Sequence, residues 1–138
     1  MIAKVYLDAS FVIALLVDNH PFNVQARQKL HKLVKTEVCI SLFVIDEVIF
    51  NLKKYGFEKS EIQVFIEKYI LSLANLSVLG IGGDRELLQD YLDLWVSTPL
   101  RPTDAVHLLV MRDSLVNVIA TFDQHFIDNQ KALGIKVL

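Results

Sequence analysis

The sequence predicts an α/β protein, a parallel sheet covered by helices on both faces and built as one domain of 138 residues. Two observations carry this. Short apolar runs of strand length alternate with longer segments of helical period, the pattern left by strand–helix–strand units. The chain is also 53% hydrophobic with a mean hydropathy of +0.40, yet its longest apolar run, Phe11 to Val17, falls far short of the roughly 20 residues that cross a bilayer. Apolar content of that size without a span fits strands buried on both faces, or a partner surface left exposed.

The elements follow in order. A first strand is expected over about Ala3 to Asp8, and a helix from Ser10 through Leu16. Pro21 opens a longer helix with Val24, Leu30, Leu33 and Val34 on one side, before a second strand from Glu37 to Ile40. Ser41 is a plausible N-cap for a helix from Leu42 to Tyr55 that stops at Gly56. The next helix starts near Glu58 with Ser60 as its cap and Ile62, Phe65, Ile66, Tyr69 and Ile70 as its apolar stripe. A third strand spans Asn75 to Ile81, and Asp84 to Val96 is a helix whose Leu87, Leu88, Tyr91, Leu92 and Trp95 suit a core or a dimer contact. Pro99 and Pro102 enclose a turn, and Thr103 caps a helix from Asp104 to Leu115. A fourth strand from Asn117 to Thr121, a helix beginning near Asp123 and a fifth strand from Ile135 to Leu138 complete the chain.

Bulk chemistry narrows the function. One cysteine, Cys39, excludes disulfides and a cysteine metal cluster, and with an N-terminus free of any signal-peptide pattern it points to the cytoplasm. A net charge of −2 argues against binding nucleic acid by bulk electrostatics alone. It leaves room for a nuclease whose acids meet phosphate through metal ions. Local basic density at Arg27, Lys29, His31, Lys32 and Lys35, and at Lys53 and Lys54, reads first as the solvated faces of two helices, and second as a phosphate-backbone track.

Four carboxylates stand at the edges of apolar segments, where a folded chain otherwise avoids charge: Asp8, Glu47, Asp104 and Asp123. Open parallel sheets bind ligands at the carboxyl ends of their strands. Asp8 and Asp123 fall just past strand ends. Asp104 lies in the first turn of a helix that starts on that rim, and Glu47 in the second turn of the helix after the second strand. Gathered together, these like charges raise one another's pKa until a cation neutralises them. Oxygen-only ligands suit Mg²⁺ or Mn²⁺ better than zinc. Such ions polarise phosphate and activate water for phosphodiester hydrolysis.

Neighbours are weighed the same way. Asp46 and Glu47 point about 100° apart on a helix, and apolar residues flank both, so periodicity does not choose between them. Asn51, four residues after Glu47, could orient a carboxylate or a water, or be a surface amide. His107, three residues after Asp104 on the same face, reads first as a core histidine bonded to a backbone carbonyl and second as a site residue. His20, His31 and His125 read as solvated, and Asp84 and Asp128 as ordinary helix residues.

The motifs resemble those of PIN-domain nucleases. Tyr6-Leu7-Asp8-Ala9-Ser10 is similar to their opening, Asp46-Glu47-Val48 to their second acidic motif, Pro102-Thr103-Asp104-Ala105 to the third and Thr121-Phe122-Asp123 to the fourth. The match covers essentially the whole chain, and a domain of this size is most similar to VapC-type toxins. The resemblance implies a five-stranded sheet ordered 3-2-1-4-5 and Mg²⁺ or Mn²⁺ held by Asp8, Glu47, Asp104 and Asp123, with Glu47 preferred to Asp46. It also implies supporting hydroxyls at Ser10 and Thr121. The activity implied is that of an endoribonuclease toxin working as a homodimer, whose antitoxin inserts a peptide into an apolar groove near the helices of the first half. The alternatives are a housekeeping RNA-processing nuclease and a non-catalytic regulatory module with an acidic pocket. A phosphorelay receiver fits poorly, since Asp8 is single and Lys136 lies inside the final strand.

Overall fold

The computed structural model describes residues 3–138. Five strands, β1 (Lys4–Leu7), β2 (Glu37–Ser41), β3 (Leu76–Leu79), β4 (Val118–Ala120) and β5 (Lys136–Val137), form one sheet ordered β3-β2-β1-β4-β5. Every pairing is parallel, with Tyr6 of β1 opposite Cys39 on one side and Ile119 on the other. This is the predicted three-layer architecture and strand order. Central β1 has a neighbour on each edge and helices above and below, so Val5, Tyr6 and Leu7 are wholly buried. The chain steps outward from β1 to β2 and β3, then returns to place β4 on the other side of β1. That reversal makes a crevice between β1 and β4 at the carboxyl edge, where ligands of open α/β sheets bind.

Among the described residues eight α-helices connect the strands: α1 (Ala9–Leu16), α2 (Asn23–His31), α3 (Leu42–Lys54), α4 (Lys59–Ile66), α5 (Arg85–Ser97), α6 (Pro102–Asp113), α7 (Gln124–Asp128) and α8 (Gln130–Leu133). None of the described helices is long and apolar enough to cross a membrane. Helix α1 is buried almost all round and packs on α2 and α3, while α6 packs on α5 and α3. Ser41 caps α3 as predicted, its Oγ accepting from the Val44 N–H at 3.3 Å.

Two helix starts and one cap differ from expectation. Helix α2 begins at Asn23, because the Asn23 amide donates to Ala14 O (2.9 Å) and Leu15 O (3.3 Å), satisfying carbonyls left open at the end of α1. Val24 and Val34 are 66% and 67% exposed, so the core contact around α2 rests on Ala26 and Leu33. At α4, Ser60 already lies inside the first turn; Glu58 is the N-cap, and Glu61 reaches back to its N–H at 3.0 Å. At α6, Pro102 takes the first helical position, which needs no N–H donor, so Arg101 rather than Thr103 is the N-cap. Helix α4 runs on into a π-helical turn, Glu67–Leu71, that buries Ile70.

Helix α6 ends with Leu115 in the left-handed region, φ 58°, as the Leu115 and Val116 N–H groups bond back to Arg112 O and Met111 O. Leu115 is 90% exposed, so packing offers no return for the strained backbone. Leu115→Gly is therefore expected to stabilise the protein by about 0.5–1 kcal/mol, raising the thermal midpoint by roughly 2–4 °C. Thermal unfolding followed by circular dichroism checks this.

Candidate active site

The end of β1 and the end of β4 are stitched together by hydroxyls. Asp8 sits at the N-cap position of α1 but its side chain caps nothing. Instead its Oδ2 accepts from Thr121 Oγ1 at 2.6 Å and from Ser10 Oγ at 3.0 Å. Those hydroxyls in turn accept from the backbone of the β4 exit: Phe122 N–H to Ser10 Oγ at 3.0 Å, and Asp123 N–H to Thr121 Oγ1 at 2.9 Å. A carboxylate withheld from capping and fixed by two side chains is placed for something other than helix stability. Its Oδ1 takes no hydrogen bond from the described residues. Since no buried side-chain oxygen among them lacks a partner, that atom reaches the solvent.

Asp104 projects from the first turn of α6 and is 3% exposed. Asp123 is the N-cap of α7, its Oδ1 accepting from His125 N–H at 2.9 Å. Arg101 ties the two together: Nε donates to Asp104 Oδ2 at 3.0 Å and Nη2 to Asp123 Oδ2 at 2.7 Å. Glu47, in the second turn of α3, accepts at Oε1 from His107 Nε2 at 2.5 Å. Asp46 beside it is exposed.

Histidine 107 is not bonded to a backbone carbonyl, as its position on an apolar helix face suggested. It is wholly buried and links Glu47 to Tyr6, whose hydroxyl lies 2.8 Å from Nδ1 and 2.7 Å from Ser41 Oγ. One proton arrangement satisfies every member. In it the carboxylate takes Nε2–H, and Nδ1 accepts from the Tyr6 O–H. Tyr6 accepts from the Ser41 hydroxyl, which accepts from Val44 N–H. Burial pushes the Tyr6 phenol pKa well up, keeping it a donor. Asn51 spends its amide on the backbone oxygen of Glu47 at 2.8 Å, not on a carboxylate.

Electrostatics tie these residues to one locale. Burial pushes the Asp8 carboxyl above its ordinary pKa, against the opposing hydrogen bonds of Thr121 and Ser10. Burial likewise raises Asp104, offset by Arg101. The charge of Glu47 adds to both rises, and Asp123 adds to that of Asp104. The donor set is all oxygen and acid-rich, which suits a hard dication that keeps some of its waters. Its present arrangement is open: no three of the described acid, histidine or cysteine groups already form a ligand cluster, and a guanidinium spans two of the carboxylates. The chemistry of the residues fits Mg²⁺ or Mn²⁺.

Sequence reasoning missed three members, Tyr6, Arg101 and the bridging part played by His107. Only Arg101 left a local trace, a cation three residues ahead of an acid at a helix start.

Comparisons with known proteins agree with this architecture. The PIN domain family profile matches residues 5–132. VapC20 of Mycobacterium tuberculosis, a sarcin–ricin loop cleaving toxin, superposes with a TM-score of 0.68 at 17% identity, covering 90% of this chain and 93% of its own. VapBC2 of Rickettsia felis, solved with a promoter DNA fragment, gives 0.70 at 15% identity over 98% and 97% of the two chains. FitAcB of Neisseria gonorrhoeae gives 0.65 at 16% identity over 97% and 96%. No curated protein sequence matches the chain. With its profile match spanning nearly all of the sequence, this chain belongs to the PIN domain family.

Proposed function

We propose that the protein is a Mg²⁺- or Mn²⁺-dependent endoribonuclease, the toxin of a type II toxin–antitoxin pair acting in the cytoplasm. The observation that carries the reading is Asp8, a nearly buried carboxylate that gives up capping, keeps one oxygen open and shares the field of Glu47. Asp8, Glu47, Asp104 and Asp123 would hold the ion, with Ser10 and Thr121 orienting Asp8. When bound, the dication supplies a lowered pKa for an attacking water and charge for the phosphate. The residues do the rest. Thr121 and Ser10 fix which Asp8 oxygen faces the crevice, His107 fixes Glu47, and Asp123 is pinned by the first turn of α7.

This chain has a surface suited to an antitoxin partner. Between α3 and α4 lies an apolar groove of about 920 Å³, lined by Ile49, Phe50, Ile62, Ile66 and Leu71, where the three cations Lys53, Lys54 and Lys59 outnumber the two acids Asp46 and Glu67. An antitoxin segment with apolar anchors and acidic flanks fits it. On α5, Leu88, Trp95 and Val96 are exposed, while Leu94 is its buried residue, which supports the homodimer contact.

The direct test is incubation of the purified protein with structured and single-stranded RNA in Mg²⁺, Mn²⁺ or EDTA. Cleavage is expected with either ion and none in EDTA; cleavage persisting in EDTA would remove the metal mechanism. The basic residues near β2 do not share the site. Lys35 precedes the start of β2, and Leu33 and Thr36 are bonded by Asn75 at the start of β3, so this segment lies on the amino edge of the sheet, opposite the acids. Lys32→Ala with Lys35→Ala is therefore expected to leave RNA affinity within about twofold and its salt slope unchanged. A slope lowered by about two would restore the phosphate track.

A further inference from the structure

We propose that Arg101 is a phosphate-positioning residue, holding Asp104 and Asp123 while they lack a dication and turning to the scissile phosphodiester once their charge is neutralised. This rests on the nuclease reading and adds a residue to it. The guanidinium is the one Lys or Arg group among the described residues that pairs with the four acids. It lies across their mouth: the Arg101 side chain is 59% exposed, against 5% for Asp104 and 16% for Asp123. Nε and Nη2 make its bonds, and Nη1 takes no partner among the described residues, leaving donors aimed at solvent. The mount is stiff, because Arg101 is the extended N-cap of α6 and Pro102 follows it. A long side chain on a fixed base swings without moving the helix.

Charge decides what it swings to. A guanidinium beside two carboxylates is stable; the same group beside a dication bound to those carboxylates is repelled unless an anion lies between. A phosphodiester supplies that anion, and the planar fork of Arg matches two phosphate oxygens as it now matches two carboxylates. A purely structural ion pair, half in solvent, contributes little and would not need to span two acids from separate elements.

The test compares wild type with Arg101→Gln and Arg101→Lys. Titration calorimetry with Mn²⁺ alone, without RNA, is expected to show several-fold tighter binding in Arg101→Gln, since the competing cation is gone. Steady-state cleavage of a labelled single-stranded RNA across a salt series is expected to show KM raised about tenfold with kcat changed less, a salt slope of kcat/KM lower by about one, and partial recovery in Arg101→Lys. An unchanged salt slope, or Mn²⁺ affinity no tighter than wild type, would overturn the assignment and leave Arg101 a structural ion pair. Arg101→Lys keeps the charge at the acids, so its slope is read even where Arg101→Gln folds poorly. Wild type that neither binds Mn²⁺ nor cuts RNA would overturn the nuclease reading itself, a result distinct from failure in the variants alone.

Discussion

Asp8→Asn is expected to lower RNA cleavage about 10²–10³-fold while raising the stability of the metal-free protein. The two effects have one cause. Burial and the charge of Glu47 hold the Asp8 carboxyl above its ordinary value of 3.8, so the folded state resists ionising it. The stability carried by the protonated form is fully present below that ordinary value and is lost as pH rises through the higher folded one. Asparagine keeps an oxygen for the hydroxyls of Ser10 and Thr121 but has no charge to lose. Its advantage over wild type in EDTA should be small near pH 4 and widen toward neutrality. Chemical denaturation at a series of pH values reads this, and an advantage that narrows toward neutrality would contradict the electrostatic account. Saturating Mn²⁺ should reverse the order, since a ligand that binds only the folded state adds stability by mass action and the variant binds it less well. Asp104→Asn should lose similar activity with a smaller gain in stability, because there the guanidinium of Arg101 already offsets part of the charge.

What the sequence disclosed, and what it withheld, follows from the range of the interactions. Parallel strands buried on both faces leave continuous apolar runs, and helices leave a period, so the layers and the ends of β1 and β4 were legible from neighbours alone. Asp8 and Asp123 stood out because they interrupt such runs at the rim. The hydroxyls Ser10 and Thr121 came only through the family resemblance, since two common residues 111 positions apart carry no local mark. His107 shows the limit most clearly. Its partners lie 60 and 101 residues away, and the apolar face around it describes a core histidine whatever those partners are. Arg101 looked like a turn residue before a proline; its bond to Asp123, 22 residues on, exists only once α6 and α7 meet. Helix starts failed for a different reason: Pro102 outweighs the capping preference of Thr103, the Glu58–Glu61 pair outweighs that of Ser60, and the Asn23 amide delays the helix expected from Pro21.

Removing the chain from Tyr6 to Glu47 separates what holds the core from what serves the site. Tyr6→Phe deletes one hydroxyl shared by Ser41 and His107, leaving Nδ1 of a wholly buried imidazole without its donor. That should cost about 1–3 kcal/mol, the penalty of stranding a buried polar group. Glu47 still has its Nε2 partner, so cleavage should stay within a few-fold of wild type once folded protein is counted. His107→Ala goes further. It opens a void among wholly buried neighbours, orphans the Tyr6 hydroxyl on one side and frees Glu47 on the other. A stability loss of about 2–4 kcal/mol is expected, with activity falling a further 10–100-fold, the usual effect of losing the group that orients a ligating side chain. His107→Gln, which can still donate to Glu47, should recover part of the activity and less of the stability. Urea denaturation and single-turnover cleavage at saturating Mn²⁺ measure both quantities. Should His107→Ala cut RNA as fast as Tyr6→Phe, the histidine would be a core residue only, and the aim of Glu47 would have to come from α3 alone.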